Sequence, residues 1–369
     1  MVMDYFMKAA FNIAKTADFK LVRPNPLVGA VVVSGDGRIL GEGCHEKFGA
    51  AHAEVNAIHN ALKHTNDLSA CTLYVTLEPC SHQGKTPPCT DFIIRNGIKK
   101  VVIGSSDPNP LVSGANVLME AGIDVKVYND PALIDMNREF YVNHLFQRPY
   151  VVLKMAMTID GKIADRNGNS KWLSNEESRN YVHEHLRTEA DAILTTYHTV
   201  FKDNAQLNIR KSDGSVLDKD ILIIDRDFQL LKPENAGLSI FKSHPHSTIF
   251  LFGLHKHLND IPDNVKLIFT DFDQEGNIKL DTMLKMLLEY KYFQILVEAG
   301  SKLATQLMIH DCIDEMKLFV VPAVFLDNQA ISSFNHDHHV SLLDAKKFQL
   351  SGVHQFNSDV LLSYVKKSL

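Results

Sequence analysis

The chain has no long apolar run, no marked excess of either charge and few cysteines, and each scarcity narrows what it does. A membrane-spanning helix needs about 20 consecutive apolar residues, and no such run occurs. Lys and Arg total 38 against 44 Asp and Glu, a net charge of -6. A nucleic-acid-binding face shows clustered cations, so neither nucleic acid nor a membrane is an expected partner. Five cysteines in 369 residues are too few for a disulfide frame. The first residues carry an early acid, Asp4, and no apolar core, so no signal peptide is expected and a cytoplasmic location is. A dinucleotide fingerprint of the form Gly-x-Gly-x-x-Gly is missing, and Gly84-Lys85-Thr86 lacks the first glycine of a phosphate-binding loop, so ATP is not implied.

What is present is a set of metal-ligand residue types. His52-Ala53-Glu54 is followed by Pro79-Cys80 and Pro88-Cys89, which together supply an imidazole, a carboxylate and two thiolates. Catalytic zinc takes three protein ligands and leaves a position for water, and His52, Cys80 and Cys89 make three. Glu54 then serves as proton carrier rather than ligand, the arrangement of the zinc deaminases. A lone His-x-Glu or Pro-Cys is weak evidence, whereas the joint pattern is specific.

The stretch 52–63 predicts a helix with Val55, Ala57, Ile58, Ala61 and Leu62 on its apolar side, placing His52 and Glu54 in its first turn. Thr72 to Leu77 predicts a buried strand delivering Glu78-Pro79-Cys80. A helix starting at Pro79 is expected to bring unpaired N–H groups to the Cys80 thiolate. Eight residues separate the cysteines where the deaminase signature has two. His82, inside this gap, reads as a neighbour of metal or substrate, since a fourth ligand would close the site.

Elsewhere in the first half, Asp4 is expected to cap a helix running to Ala17, and 28–34 pairs with 39–43 in a hairpin about Asp36-Gly37. Helices and strands then alternate to about residue 145, which predicts an α/β sandwich. Pro149 stops the preceding helix, so two domains, 1–146 and 147–369, are expected.

The run from Glu78 to Cys89, with Asn25-Pro26-Leu27-Val28-Gly29 before it and Asp107-Pro-Asn-Pro110 after it, resembles the bifunctional riboflavin-biosynthesis deaminase/reductase family. The resemblance covers essentially the whole chain. It implies a cytidine-deaminase-like three-layer sandwich followed by a dihydrofolate-reductase-like α/β domain, with zinc and NADPH as cofactors. It also implies a small phosphoribosylaminopyrimidine substrate and a homo-oligomer. The implied reactions are zinc-dependent hydrolytic deamination of 2,5-diamino-6-(5-phosphoribosylamino)-pyrimidin-4(3H)-one and then reduction of the ribosyl group to ribityl. Asn25 would offer its amide to the pyrimidine edge, although a turn asparagine reads the same way. His45 and Lys85 are candidate contacts to the phosphoribosyl part.

In the second half, Ala156, Trp172, Thr199, Asp203 and Arg226 match cofactor positions of the family. A buried strand ending at Glu298 turns through Gly300 into a helix, a good phosphate cradle. The resemblance assigns Gly300, Ser301, Lys302, Leu303, Ala304, Thr305 and Gln306 to NADPH. It assigns Ser170, Arg187, Leu207, Arg210 and Glu298 to the substrate. The planar fork of Arg210 suits a phosphate, and an exposed loop arginine is the plain alternative.

Some positions depart from the family pattern. Asn204-Ala205 stands where Asp-Pro is usual, Thr158 where serine is common, and Arg226 where a small residue is usual. The run from His183 to Arg187 is one residue longer than typical, which unsettles Arg187. Its His-x-His pair reads as a solvated helix face. Two rival readings are a nucleoside or tRNA deaminase whose second domain has lost redox activity, and a noncatalytic zinc-binding protein.

Overall fold

A computed structural model describes residues 3–367 except 172, 257, 259 and 338. The chain divides into two compact units, one up to Phe146 and the other from Gln147. Among the described residues, no helix is long and apolar enough to cross a membrane.

In the first unit, Asp4 caps α1 (Tyr5–Ala14) by accepting from the N–H groups of Phe6 and Met7, a cap worth about 1 kcal/mol. The helix ends before the expected Ala17. After α2 (Phe19–Val22) come β1 (Gly29–Val33), β2 (Ile39–Cys44), α3 (Ala53–Ala61), β3 (Thr72–Val75), α4 (Cys89–Arg95), β4 (Lys100–Ile103), α5 (Gly114–Glu120) and β5 (Asp124–Val127). Two helices, α6 (Pro131–Met136) and α7 (Arg138–Leu145), complete the unit.

The sheet order is β2-β1-β3-β4-β5. β1 runs antiparallel to β2 and β3, while β3, β4 and β5 are parallel. Alternate side chains of a strand point to opposite faces, and both faces of β1 are covered. Ala30 and Val32 join the core beneath α3 with Ala57, Ile58 and Val75, and Val31 and Val33 pack with Met7, Ala10 and Phe11 of α1. Gly41 lets α3 lie close on β2, because a Cβ there would overlap the Ala57 carbonyl. That approach fixes where the first turn of α3 begins.

The second unit contains β6 (Tyr150–Thr158), β7 (Lys162–Ala164), α8 (Glu176–Tyr181), α9 (Arg187–Glu189), β8 (Ala192–Thr196), α10 (Tyr197–Asp203), β9 (Ile209–Arg210) and β10 (Val216–Leu217). It continues with β11 (Asp220–Ile224), β12 (Ile249–Gly253), β13 (Val265–Phe269), α11 (Leu280–Glu289), β14 (Gln294–Val297), α12 (Ser301–Ile309) and β15 (Glu315–Val321). β16 (Ile331–Ser332), β17 (Phe348–Phe356) and β18 (Asp359–Lys366) end it. One π-helical turn, Val182–Leu186, joins α8 to α9.

Nine strands form the main sheet in the order β13-β12-β11-β8-β14-β6-β15-β18-β17. Neighbours are parallel from β13 to β15, and β18 and β17 are antiparallel. One face buries Val151, Leu153, Leu194 and Leu222 with Leu284 and Leu287 of α11 and Leu307 of α12. The other buries Ile193, Ile221, Ile223 and Leu251 with Val200 of α10. The chain steps outward from β6 through β8 to β13 and then returns to place β14 between β8 and β6. In parallel sheets such a reversal opens a crevice at the carboxyl ends of the strands, where ligands bind.

Candidate functional site

In the first unit, His52 is the N-cap residue of α3, Glu54 lies in its first turn, and Cys89 opens α4 directly after Pro88. His52 Nδ1 lies 3.6 Å from Cys80 Sγ and 3.3 Å from Cys89 Sγ, and the three ligand atoms all lie within 4.8 Å of one another. A tetrahedron with zinc bonds of about 2.0–2.1 Å to nitrogen and 2.3 Å to sulfur has edges of roughly 3.5 Å, so the triad fits zinc. The Cys80 loop is braced from behind. A Cβ on Gly114 would overlap the Pro79 carbonyl, and the Glu78 carboxylate accepts from the N–H groups of Asp107 and Ala115 at 3.2 and 2.9 Å. On the far side of the His52 ring, Nε2 meets the Thr86 hydroxyl at 3.4 Å. With Nε2 as donor, Nδ1 presents its lone pair to the sulfurs.

The electrostatics agree with a cation site. The two sulfurs titrate as a pair: the Cys89 thiol, hydrogen-bonded to Cys80, holds Cys80 well below the usual thiol range against the opposing effect of burial. The Cys89 N–H also reaches Cys80 Sγ, at 3.3 Å. The same pairing, and then burial, pushes Cys89 up. His52 is raised, chiefly by its hydrogen bond to Cys80. Burial pushes the Glu54 carboxyl up, with only 3% of the residue exposed. Metal ligands must be deprotonated, so binding a dication releases the protons this cluster holds.

Around the triad, His45 is buried with its ring 5.1 Å from that of His52. Its Nδ1 lies 3.1 Å from the Ala51 carbonyl and its Nε2 3.0 Å from Asn25 Nδ2. Both nitrogens are therefore engaged, and Asn25 keeps its Oδ1 as an acceptor. The Lys85 ammonium stands 3.9 Å over the Phe48 ring. His82 is exposed and does not belong to the ligand triad.

The second unit holds a cavity of about 800 Å³ whose lining includes Ser170, Thr199, Lys202, Asp203, Arg226, Gly300, Ser301, Lys302, Leu303 and Gln306. Gly300 caps α12, and a Cβ there would meet nothing within 4 Å. Ser301 Oγ is buried without a hydrogen-bond partner. An orphaned hydroxyl beside an open helix N-terminus fits the phosphates of a dinucleotide. At the end of β14, Glu298 is gripped by Arg187 Nε at 2.6 Å and Nη2 at 3.1 Å, with Lys154 Nζ 3.9 Å away. Burial disfavours the Glu298 charge, but Arg187 and Lys154 outweigh it and hold the carboxyl at about 2.

Residues 2–105 match the family model described as the cytidine and deoxycytidylate deaminase zinc-binding region, and residues 149–362 match the RibD C-terminal domain. The riboflavin biosynthesis protein RibD of Aquifex aeolicus is 38% identical over 88% of this chain and 88% of its own length. That of Actinobacillus pleuropneumoniae is 36% identical over 98% and 95%. The chain belongs to the RibD family. Among solved structures, the diaminohydroxyphosphoribosylaminopyrimidine deaminase/5-amino-6-(5-phosphoribosylamino)uracil reductase of Thermotoga maritima is 36% identical, with a TM-score of 0.75 over 98% of this chain and 97% of that one. RibD of Acinetobacter baumannii is 31% identical, with a TM-score of 0.75 over 99% and 98%. As a RibD chain it joins a cytidine-deaminase-like unit to a reductase-like unit, with zinc and NADPH as their cofactors.

Within this RibD chain some expectations need correction. No helix starts at Pro79. Pro87 and Pro88 restrict the residues before them, and the helix begins at Cys89, whose own N–H reaches Cys80. The His-x-His pair is not a solvated face: His185 is exposed, but His183 is only 6% exposed. Ala304 and Thr305 do not line the cavity. They turn into the core, where Thr305 Oγ1 accepts from the Asn335 N–H at 2.9 Å. Ala156 is half-buried in β6 and also absent from the lining. Trp172 lies outside the described residues.

Two of the departures from the RibD pattern, Asn204 and Thr158, have local accounts, and nothing in the structure explains Arg226. Asn204 ends α10 in the left-handed region at φ 44° and accepts from the Ser239 N–H, a conformation that asparagine tolerates. Thr158 keeps the hydroxyl of serine, donating to Asp160 and accepting from the Lys162 N–H. The stretch before Arg187 winds as a π turn, and Arg187 bonds Glu298. Lys154, a charge within the apolar strand Tyr150–Thr158, is turned to the Glu298 carboxylate. Asp107, which opens the Asp107-Pro-Asn-Pro110 run, is half-buried, and burial pushes its carboxyl up to about 6.

Proposed function

We propose that residues 1–146 are the deaminase domain, with His52, Cys80 and Cys89 holding zinc and Glu54 carrying the proton, and that residues 147–369 are the reductase domain. The observation that carries this reading is the ligand triangle closed beside a buried carboxylate. The reaction is deamination of 2,5-diamino-6-(5-phosphoribosylamino)-pyrimidin-4(3H)-one to 5-amino-6-(5-phosphoribosylamino)uracil, followed by NADPH-dependent reduction of the ribosyl group to ribityl.

Zinc in the triad supplies Lewis-acid activation of the attacking water. The rest falls to the protein. Glu54 takes one proton of the attacking water and gives it to the ring nitrogen, then takes the remaining hydroxyl proton and gives it to the amino group, which leaves as ammonia. Thr86 holds the His52 ring, and His45 holds Asn25 so that its Oδ1 accepts from the pyrimidine edge. Lys85, on its exposed loop, meets the phosphate as a point charge.

In the reductase, NADPH supplies the hydride. Ser301 Oγ and the first N–H groups of α12 hold its phosphates, with Lys302, Leu303 and Gln306 alongside. Thr199, Asp203 and Arg226 line the same cavity. Ser170, Leu207, Arg210 and Glu298 position the substrate, and Arg187 fixes Glu298.

The chain is also proposed to act in the cytoplasm as a homo-oligomer. All five cysteines are free thiols, which suits a reducing compartment. The edge strand β17 exposes Leu350 and Val353, an unprotected edge open to a second copy.

The test supplies zinc-loaded protein with the diaminopyrimidine phosphoriboside and NADPH, and follows ammonia release and NADPH oxidation separately. Both are expected. Ammonia without NADPH oxidation would remove the reductase assignment, and NADPH oxidation only when the deaminated compound is supplied would remove the deaminase.

A further inference from the structure

We propose that His183 binds the phosphate of the reductase substrate directly, its Nε2–H joining the Arg210 guanidinium on one oxyanion. The proposal deepens the reading of Arg210 as a substrate residue and rests on it.

The π turn is where the argument starts. Such turns are rare, and they often mark functional sites. Here the N–H of Arg187 bonds the Val182 carbonyl, five residues back. The turn carries His183 inward and leaves His185 outside, its ring tilted against that of Tyr181 at 4.5 Å.

The surroundings of the buried imidazole do not balance. Its Nδ1 accepts the backbone N–H of Arg210 at 3.1 Å, and its Nε2 lies 3.1 Å from Arg210 Nη2. Arg187 Nη1 stands 3.5 Å from Nδ1. All three neighbours can only donate, and a neutral imidazole has a single lone pair. The Arg210 amide claims that lone pair, so the ring proton is on Nε2 and points at a guanidinium.

The nearby backbone and carboxylate acceptors already serve other donors, and the Asn208 backbone adds only the smallest of the influences on the ring. The Asn208 carbonyl is taken by Arg187 Nη1 at 2.7 Å, and Glu298 by Arg187 and Lys154. Charging the ring does not help either. Burial, and then Arg187 and Arg210, hold the imidazole down to about 4 against the Glu298 charge and a hydrogen bond with the Asn208 backbone. Burial, Arg187 and Arg179 also lower Arg210, so cations crowd this corner. An oxyanion seated between Nε2–H and Nη2–H converts two opposed donors into two charge-assisted hydrogen bonds. A phosphate monoester has the charge and the oxygens to do this.

The test is calorimetric binding of 5-amino-6-(5-phosphoribitylamino)uracil, the reduced product, and of the same compound without its phosphate. Both are titrated into the zinc-loaded full chain and into His183→Phe, His183→Gln and Arg210→Ala variants, with NADPH affinity as the check on folding. His183→Phe is expected to weaken the phosphorylated ligand roughly 10- to 100-fold while leaving the dephosphorylated one unchanged. His183→Gln, which keeps an N–H donor, should recover most of the loss. If His183→Phe weakens neither ligand, or both equally, while Arg210→Ala singles out the phosphate, the proposal fails and the reading of Arg210 stands. If Arg210→Ala does not discriminate either, both fall. Should the Phe variant lose NADPH binding, nitrogen-15 NMR of the parent decides. An Nε2–H resonance that moves only with the phosphorylated ligand supports the contact, and one that stays put overturns it.

Discussion

Replacing Glu54 with Gln separates the metal from the proton carrier. The amide has the shape of the carboxylate it replaces, and the three ligand atoms, His52 Nδ1, Cys80 Sγ and Cys89 Sγ, are untouched. Zinc content should therefore stay at one equivalent per chain, measured by a chromogenic chelator after denaturation. Folding should hold as well. The residue is 3% exposed and burial already disfavours its charge, so a neutral isostere costs little, within about 1 kcal/mol. Catalysis should not hold. A positioned acid–base group contributes about 10²–10⁴ in rate, or about 2.7–5.4 kcal/mol of barrier at 1.36 kcal/mol per tenfold. Glu54 is assigned both proton transfers, so the loss belongs at the upper end. Ammonia release from the diaminopyrimidine phosphoriboside should fall about 10⁴-fold, while NADPH oxidation with supplied 5-amino-6-(5-phosphoribosylamino)uracil is unchanged. Ammonia release within tenfold of the parent, with zinc bound, would refute the assigned role. Loss of zinc in this variant would show instead that Glu54 supports the ligand set.

Other consequences can be measured in the second unit. Ser301→Val removes the orphaned hydroxyl and should weaken NADPH binding roughly tenfold by calorimetry; unchanged affinity would remove Ser301 from the cofactor's contacts. Arg148 grips Asp314 at 2.6 and 2.8 Å in a buried pair, and Asp314 also accepts from the Val151 N–H. Arg148→Ala strands that carboxylate and should cost about 3–5 kcal/mol in urea unfolding, whereas a loss below about 1 kcal/mol would mean that water relieves it. Glu298 is held at about 2, against an ordinary value of 4.5. A depressed carboxyl stabilises the fold fully above its unfolded pKa, and that contribution is lost as pH falls from about 4.5 towards 2. The difference corresponds to at most about 3.4 kcal/mol. Urea midpoints measured from pH 7 to 3 should drop less steeply in Glu298→Gln, and equal slopes would contradict the ion pair's role.

How far the sequence foretells the structure depends on how local each feature is. The zinc triad is legible because its ligands sit at helix and strand ends marked by Pro79, Pro88 and the apolar face of 52–63. Its one misreading, the helix at Pro79, came from treating proline as a helix start without weighing the Pro87-Pro88 pair. The order of the nine-stranded sheet is not legible, because the return of β14 between β8 and β6 is a pairing across more than 100 residues that leaves no periodic trace. The window 300–306 was assigned as a block, yet helical periodicity divides it: Ser301, Lys302, Leu303 and Gln306 line the cavity while Ala304 and Thr305 face the core, as side chains a turn apart share a face. The pairings of His183 with Arg210 and of Lys154 with Glu298 are not legible either, because each joins residues apart along the chain and leaves no local pattern.

The π turn at Val182–Leu186 also bears on how the chain tolerates a change in length. An inserted residue in an α-helix rotates everything after it by about 100° and advances it about 1.5 Å, which would swing Arg187 off Glu298. A single wide turn takes up both the rotation and the rise, so the helix past it keeps its phase. A one-residue change in the length of this helix can therefore be absorbed without moving the guanidinium that holds the carboxylate. Deleting one residue of 183–186 should restore ordinary helical winding with Arg187 still in place.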